Sequence, residues 1–219
     1  MGASQSRRVH VFQDLADKTG FSIEQIRNLH DRFMYLTQEE NILRREHLDN
    51  ISYLAFNPIR RQIIEVFFDK RNLGQNEAGS LQEIGFEEFL TVLAFFRPPK
   101  PHATEEEIEN IKRAKLRFLF NMHDTDNDGI ITLDEYRLVV EKLLSSYETL
   151  DTENAKVISD AAMLEVASVT MGQMGPDEFY DGISFEHFLQ ILKGIEIETK
   201  MHIRFLNMNT TTMHFFNRE

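Results

Sequence analysis

Cysteine and tryptophan are absent from this chain of 219 residues, and proline occurs only five times. Without cysteine the protein can form neither a disulfide framework nor a thiolate metal site. No apolar run reaches the roughly 18 residues that a transmembrane helix requires, and the polar N-terminus lacks the pattern of a secretory signal. We therefore expect a cytosolic protein.

Basic residues are also scarce: 24 lysines and arginines oppose 36 acidic residues, which gives a formal net charge of -12. Nucleic acid needs a basic surface for its phosphates, so we expect no nucleic-acid partner. The same charge opposes unassisted adsorption to anionic membranes. It suits divalent cations and basic partner helices. Phenylalanine is abundant, with 18 copies, and a hydrophobic fraction of 42% supplies ample material for a core.

A short signature recurs along the chain: an aliphatic residue, three further residues, an exit position and a large apolar residue that opens a helix. It occurs at 43–48, 84–89, 131–136 and 183–188. A loose period of this kind indicates an array of supersecondary units, and the order helix, loop, aliphatic residue, helix is that of an EF-hand. We therefore predict an all-α EF-hand fold of two lobes, each with two hands joined by a short two-stranded contact.

A proline-rich stretch marks the boundary between the lobes, because three of the five prolines lie within 97–103. Proline removes backbone donors and disfavours helix just before it. We predict a linker at 97–103 between an N-terminal lobe at 20–96 and a C-terminal lobe at 104–200. An N-terminal segment at 1–19 and a tail at 201–219 complete the chain.

Several helix starts can be predicted from capping residues. Ser22–Gln25 and Thr104–Glu107 have the form of capping boxes. Asn57 before Pro58 has the form of a cap followed by proline at the first helical position. The apolar residues that follow the first box recur at steps of three and four, as expected for a helix. They are Ile23, Ile26, Leu29 and Phe33.

The segment Asp124–Glu135 fits a calcium-binding loop at every diagnostic position. Gly129 at position 6 permits the sharp turn that a residue with a Cβ resists. A shell of hard oxygens suits calcium better than transition metals, with an affinity on the order of 10⁻⁷ to 10⁻⁵ M. The predicted ligands are the side chains of Asp124, Asp126 and Asp128, the carbonyl of Ile130, Thr132 through a water, and both oxygens of Glu135.

The other three loops lack these ligands, so we predict one calcium site and three structural loops. At diagnostic positions the first loop has Leu36, Asn41 and His47, the second has Gly79 and Leu81, and the fourth has Pro176, Tyr180 and His187. The second loop, which ends at Glu88, retains an acidic exit residue and leaves open a weak additional site.

Residues Met1–Ser6 match the N-myristoylation pattern, with Gly2 as the acceptor after removal of the initiator methionine. The alternative is an unmodified tail. One acyl chain gives only marginal membrane binding, so we expect reversible attachment that depends on a membrane-bound partner, or burial of the chain in the protein's own core.

Open EF-hand lobes expose grooves that accept amphipathic helices. Phenylalanine and methionine side chains are candidates for lining such a groove, although for any single one of them an ordinary core is the favoured alternative. The apolar end of the tail, Met213–Phe216, could occupy the groove when no partner is bound. The groove candidates are Phe67, Phe68, Phe89, Phe95, Phe96, Met163, Met171 and Met174.

Several segments together resemble the calcineurin B homologous proteins over nearly the whole chain. They are 18–22, 57–60, 95–98, 115–120, 171–174 and, most specifically, 194–208. The resemblance implies myristoylation at Gly2, binding to the juxtamembrane cytoplasmic helix of a plasma-membrane sodium/proton exchanger, and support of its maturation and surface stability. It also implies inhibition of the phosphatase calcineurin through its catalytic subunit, and one calcium loop that can also accept magnesium.

The resemblance transfers ligand roles to Asp124, Asp126, Asp128, Ile130 and Glu135. His187 departs from the family's pattern, since an acidic exit residue is expected there, and the tail after Met208 also diverges. Cytoplasm and the inner face of the plasma membrane are the expected locations. A nuclear pool and a homodimer are compatible with the resemblance.

Three other function classes fit the sequence less well. An activating, calcineurin-B-like regulatory subunit of a phosphatase would be expected to keep several intact loops, and a calcium buffer would need more capacity than one site. An enzyme is not expected, because the sequence has no phosphate-binding glycine loop, no nucleophile elbow and no HExxH pair.

Overall fold

The computed structural model describes residues 2–52, 54–75, 79–145, 152–172, 180–201, 204–205 and 208–209. This part of the chain is mostly helical, and the predicted all-α EF-hand fold is confirmed. The helices are α1 (Gly2–Thr19), α2 (Ile23–Leu36), α3 (Arg45–Asp49), α4 (Arg60–Glu65), α5 (Phe86–Ala94), α6 (Glu105–His123), α7 (Leu133–Leu144), α8 (Thr152–Met171), α9 (Phe185–Ile191) and α10 (Ile197–Lys200), with a 3₁₀ helix at Lys70–Leu73. The strands are β1 (Ile130–Ile131), β2 (Ile183–Ser184), β3 (Arg204–Phe205) and β4 (Met208–Asn209).

The hands pair through the four aliphatic positions that define the repeated signature. Leu43 and Ile84 form an isolated antiparallel bridge, with N···O distances of 2.8 and 3.0 Å in the two directions. Ile131 pairs with Ile183 where β1 and β2 run antiparallel. All four side chains are buried, so each contact joins two loops and contributes to a core. The predicted two-stranded contacts are confirmed. Strands β3 and β4 form a separate antiparallel pair.

Two of the three predicted helix starts are confirmed. Ser22 and Gln25 form a reciprocal capping box before α2, and Thr104 and Glu107 form one before α6. The prediction at Asn57 is wrong, because α4 begins only at Arg60. The side-chain Oδ1 of Asn57 instead accepts a hydrogen bond from the backbone N–H of Ile59 at 3.0 Å, which closes a turn ahead of the helix.

Two apolar cores follow from these pairings. The larger core is rich in phenylalanine and includes residues from α1 to α5, together with Phe118 of α6 and Met201. The smaller core lies beneath the loops that carry β1 and β2. Phe118 stacks on Phe95 and meets Phe96 edge-on, with ring centroids 4.8 and 5.4 Å apart. The C-terminal part of α6 therefore packs into the N-terminal core through Phe118. The lobe and linker boundaries stay predictions.

Half of the groove candidates belong to these cores, so the structure favours the ordinary core for them, and a groove stays a prediction. Phe95 and Phe96 are half-buried, Met171 is exposed, and Met174 and the tail segment Met213–Phe216 lie outside the described residues. The fully packed candidates are Phe67, Phe68, Phe89 and Met163. Within the described part of the chain, no helix combines the length and the apolar character needed to cross a membrane.

The short helix α10 packs against α6 through a buried lysine. Lys115 is 2% exposed, and its ammonium donates to the carbonyls of Glu198 and Met201 at 3.0 and 3.4 Å. Burial lowers the pKa of Lys115 to about 8, against an opposing effect of the Glu198 carboxylate. The lysine thus closes the C-terminal end of α10, where helix carbonyls have no helical partner.

Candidate metal centre

The loop between α6 and α7 takes the backbone shape that its sequence predicts. After α6 ends at His123, the chain turns through two left-handed residues, Asn127 with φ of 65° and Gly129 with φ of 90°. A Cβ on Gly129 would meet nothing within 4 Å, so glycine is favoured there by backbone conformation and not by crowding. Thr132 then caps α7, and its hydroxyl accepts a hydrogen bond from the backbone N–H of Glu135.

Three of the predicted ligands are brought together by this turn. Asp124, Asp126 and Asp128 each offer a carboxylate oxygen, and these oxygens all lie within 4.8 Å of one another. The backbone N–H of Asp128 donates to Oδ1 of Asp126 at 3.2 Å, and that of Ile130 donates to Oδ1 of Asp128 at 2.8 Å. Carboxylates at this spacing repel each other, and a dication between them would remove that repulsion.

Glu135 folds back across the loop from the first turn of α7. Its Oε1 accepts hydrogen bonds from the backbone N–H and hydroxyl of Thr125 at 2.6 and 2.7 Å, and its Oε2 accepts one from the N–H of Thr132 at 3.0 Å. Burial alone would raise the pKa of Glu135, but these hydrogen bonds lower it. The hydrogen bonds therefore favour the ionised carboxylate and connect it to both ends of the loop.

Asp124 supplies the observation that tests whether these residues fit a metal. The residue is 1% exposed, and its Oδ1 is buried with no hydrogen-bond partner among the described residues. Burial raises the pKa of Asp124, although Arg71 opposes the rise. A buried carboxylate oxygen without a partner is costly unless a cation completes its coordination. The hard oxygens at this position fit calcium, and magnesium by the same chemistry.

The remaining predicted ligands lie in the same loop. Ile130 begins β1, and Thr132 lies at the N-cap of α7. Gly2, the predicted acylation site, is the first residue of α1. The roles of these three residues stay predictions, as do the ligand roles of Asp124, Asp126, Asp128 and Glu135.

Sequence reasoning missed one participant, Arg71 of the 3₁₀ helix. Its Nη1 donates to Oδ2 of Asp124 at 2.6 Å, and its Nη2 donates to the carbonyls of Asn121 and Asp124 at 3.0 Å each. Asp69 pairs with the same guanidinium. Burial alone would lower the pKa of Arg71, but the two carboxylates raise it. No local pattern signals this contact, because Arg71 and Asp124 belong to different hands.

The first and second loops use their exit residues as helix caps. His47 Nδ1 accepts a hydrogen bond from the N–H of Arg44 at 3.1 Å, and Glu88 Oε2 accepts one from that of Gly85 at 3.0 Å. In the fourth loop, His187 Nδ1 contacts the Tyr180 hydroxyl at 3.1 Å. Position 1 of that loop, Pro176, lies outside the described residues. Across the described ranges, the three aspartates of the third loop are the one acidic group close enough to hold a metal.

Comparison with known proteins agrees with this geometry. A family model described as an EF-hand domain matches residues 115–145. The chain is 55% identical over 210 residues to calcineurin B homologous protein 3 of Xenopus laevis, a match that covers 96% of this chain and 98% of that protein. It is 51% identical over 213 residues to the protein of the same name from Homo sapiens, covering 97% and 99%. The Gallus gallus protein is 50% identical over 208 residues, covering 95% and 97%. The EF-hand match and the aspartate cluster together indicate calcium binding.

Proposed function

Because the chain belongs to the calcineurin B homologous protein family, we propose that it is a calcium-binding regulatory adaptor for a membrane transporter, with no enzymatic activity of its own. The observation that carries this proposal is identity of 50% to 55% to calcineurin B homologous protein 3 over nearly the full length of both chains. The charge of -12 and the packed EF-hand pairs agree with binding a metal ion and a basic helix.

The calcium ion binds in the third loop, one ion per chain. Asp124, Asp126 and Asp128 supply carboxylate oxygens, and Glu135 supplies both of its oxygens. Ile130 and Thr132 contribute a carbonyl and a water-bridged contact. The Oδ1 of Asp124 supports this assignment, because it is buried and has no hydrogen-bond partner in the part of the chain that the structure describes. Magnesium competes for the same loop when calcium is low.

The partner that the family implies is the cytoplasmic juxtamembrane helix of a plasma-membrane sodium/proton exchanger, whose maturation and surface stability the adaptor promotes. A myristoyl group on Gly2 places the adaptor at the inner face of the plasma membrane when that exchanger is present. The second activity is inhibition of calcineurin. The names of the relatives themselves state only homology to the B subunit of calcineurin.

A pull-down on the exchanger's juxtamembrane helix tests the adaptor role. Wild type should be captured more strongly with calcium than with chelator, and Asp124→Ala should lose that difference. Asp134→Asn is the matched control, because Asp134 lies in the same loop but is exposed and pairs with Arg137. Equal capture of all proteins in both conditions would make the metal structural, and no capture at all would refute the partner.

A phosphatase assay separates the proposal from the alternative, an activating calcineurin-B-like subunit. The purified chain added to the calcineurin holoenzyme should lower its activity. Activation of the isolated catalytic subunit would favour the alternative. The three loops without a full ligand set disfavour it, since such a subunit is expected to keep several intact loops.

A further inference from the structure

Arg71 ties the second hand to the metal loop through its whole guanidinium. On one side, its Nε and Nη2 grip the carboxylate of Asp69, with the shortest distance 2.7 Å. On the other side, its Nη1 holds Oδ2 of Asp124 at 2.6 Å. Charge-assisted contacts from two nitrogens of one guanidinium are strong, and they also fix the orientation of the side chain. A single side chain therefore bridges two carboxylates from different hands.

The same arginine closes the end of the helix that enters the metal loop. Its Nη2 donates to the carbonyls of Asn121 and Asp124, which lie at the C-terminal end of α6, where carbonyls lack helical partners. A second contact runs alongside: Asn121 Nδ2 donates to Oδ1 of Asn72 at 2.9 Å, and both asparagines are buried. The 3₁₀ helix is thus docked on the end of α6 by side chains at two successive positions.

On the side of the second hand, Arg71 and its partner Asp69 are held by hydrogen bonds of the loop backbone. Asp69 caps the 3₁₀ helix, accepting the N–H of Arg71 at 2.9 Å, and forms an antiparallel bridge with Ser80. The N–H of Leu81 donates to the carbonyl of Phe68 at 2.8 Å. A shift of the Asp124 carboxylate would therefore act on a hydrogen-bonded unit of the second loop and not on a lone side chain.

Arginine and metal do not compete for the same atom. Arg71 takes Oδ2 of Asp124, whereas Oδ1 is the buried oxygen without a hydrogen-bond partner among the described residues. Four carboxylates around one dication leave an excess of negative charge, so a bound metal would not expel the guanidinium. Asp69 also neutralises the arginine from the other side. The geometry allows both cations to hold Asp124 together.

We infer that Arg71 is a positioning residue that couples metal binding in the third loop to the order of the second loop, a loop that has no full ligand set of its own. This coupling rests on the proposed metal site: it is the route by which a metal ion bound in the third loop would affect the second loop. Metal on Oδ1 fixes the carboxylate that Arg71 grips, which stabilises the docked 3₁₀ helix. Because coupling between sites is reciprocal, the docked arginine in turn strengthens metal binding.

Hydrogen exchange of the full chain, with calcium or with chelator, tests this coupling. In the wild type, calcium should slow exchange at residues 124–135 and also at residues 69–75. Arg71→Met should weaken calcium affinity by about tenfold, the lower end for loss of a residue that supports a metal ligand. At saturating calcium this variant should keep the protection at 124–135 and lose the calcium-dependent part at 69–75.

Arg45→Met is the matched control. Arg45 is buried to a similar degree and forks onto Glu65 at 2.8 Å, with a further contact to the Leu81 carbonyl, but these contacts stay within the N-terminal pair of hands. Its loss should destabilise that pair and lower protection at 69–75 equally with calcium and with chelator, because Arg45 also contacts the second loop at Ser80 and Leu81. Calcium affinity, and the calcium-dependent part of the protection in both regions, should stay as in the wild type. Should Arg71→Met fail to fold, Arg71→Lys keeps the charge without the fork and should lose part of the protection at 69–75.

Two outcomes would overturn the inference, and they differ from failure of the metal site itself. If Arg71→Met, or Arg71→Lys in its place, kept wild-type affinity and calcium-dependent protection at 69–75, the arginine would be only structural. If wild type bound calcium but showed no protection at 69–75, no coupling would exist. Absence of calcium uptake by the wild type would instead refute the proposed metal site.

Discussion

The first loop (36–47) and the third loop (124–135) turn through left-handed residues at the same two positions. In the first loop these residues are Glu39 and Asn41, with φ of 68° and 60°; in the third they are Asn127 and Gly129, with φ of 65° and 90°. The first loop has a further left-handed residue, Gln38, with φ of 52°. Each loop then continues into an aliphatic residue that pairs with its neighbouring hand. The hand therefore keeps its left-handed turn at positions 4 and 6 and its aliphatic contact when the ligands at positions 1, 3 and 5 are gone.

The exit positions show which part of the metal site is also structural. His47 and Glu135 each accept a hydrogen bond from the backbone N–H three residues earlier, at 3.1 and 3.0 Å. Glu135 also uses its second oxygen, because its Oε1 accepts a hydrogen bond from the backbone N–H of Thr125 at the start of the loop. Helix capping is thus a property of both loops, whereas reaching across the loop belongs to the third alone.

The largest effect that separates the two loops should come from Glu135→Gln. Glutamine can still cap α7 but loses the charge and the bidentate grip, so calcium affinity should fall from the sensor range to weaker than about 10⁻³ M. Calorimetric titration measures this change. Glu88→Gln, at the exit of the second loop, is the matched control and should leave uptake unchanged. Undiminished uptake by Glu135→Gln would place the ion elsewhere.

Removal of the paired aliphatic side chains should affect both loops alike. Leu43→Ala and Ile131→Ala each delete a side chain that is at most 2% exposed, and each should cost about 2–5 kcal/mol of unfolding free energy. Urea unfolding in chelator measures this cost. Calcium affinity should fall for Ile131→Ala and stay constant for Leu43→Ala. A fall of affinity in both variants would mean that the first loop is not independent of the metal.

Each of the two helices that enter these loops has a basic residue nine positions before the first residue of the loop, but only one of the two is buried. Arg27 of α2 is exposed there, whereas Lys115 of α6 is buried. Burial lowers the pKa of Lys115 from the ordinary 10.5 to about 8, so between these values the unfolded chain binds more protons than the folded protein. Stability should therefore rise with pH across this window, and the cost of the buried charge is greatest below pH 8.

Comparison with Lys115→Met isolates this contribution. Between pH 7.5 and 9.5, the unfolding free energy of the wild type should rise by about 2 kcal/mol relative to the variant, as measured by urea unfolding at each pH. Arg27→Met is the control and should show no such difference from the wild type. Parallel pH profiles for wild type and Lys115→Met would mean that the ammonium keeps its charge in the folded protein at both pH values.

Local patterns predicted the hands well, because helix periodicity, capping boxes and ligand spacing each act within a dozen residues. They failed where distant segments meet. Arg71 and Asn72 look like ordinary polar loop residues until they dock on α6, and Lys115 looks like a break in an apolar stripe until α10 covers it. At Asn57 the local signal was present, but the chain used it for a turn before α4.

The smallest effect concerns the cost of the left-handed residues that both loops share. Glu39 is exposed and has φ of 68°, a conformation that its Cβ disfavours and that asparagine tolerates better. Glu39→Asn should therefore stabilise the protein by about 0.5–1 kcal/mol, which corresponds to the several-fold enrichment of asparagine in this conformation. Urea unfolding in chelator measures the change. Glu39→Ala is the matched control, because it removes the same charge but keeps a Cβ with no local polar group, and it should give no gain. An equal gain from alanine would assign the effect to charge in a chain that is already acidic, and the first loop would then be strained by electrostatics and not by its turn.

Asn127→Ala should show the reverse change, with a loss of similar size in the third loop, if the same backbone geometry governs both.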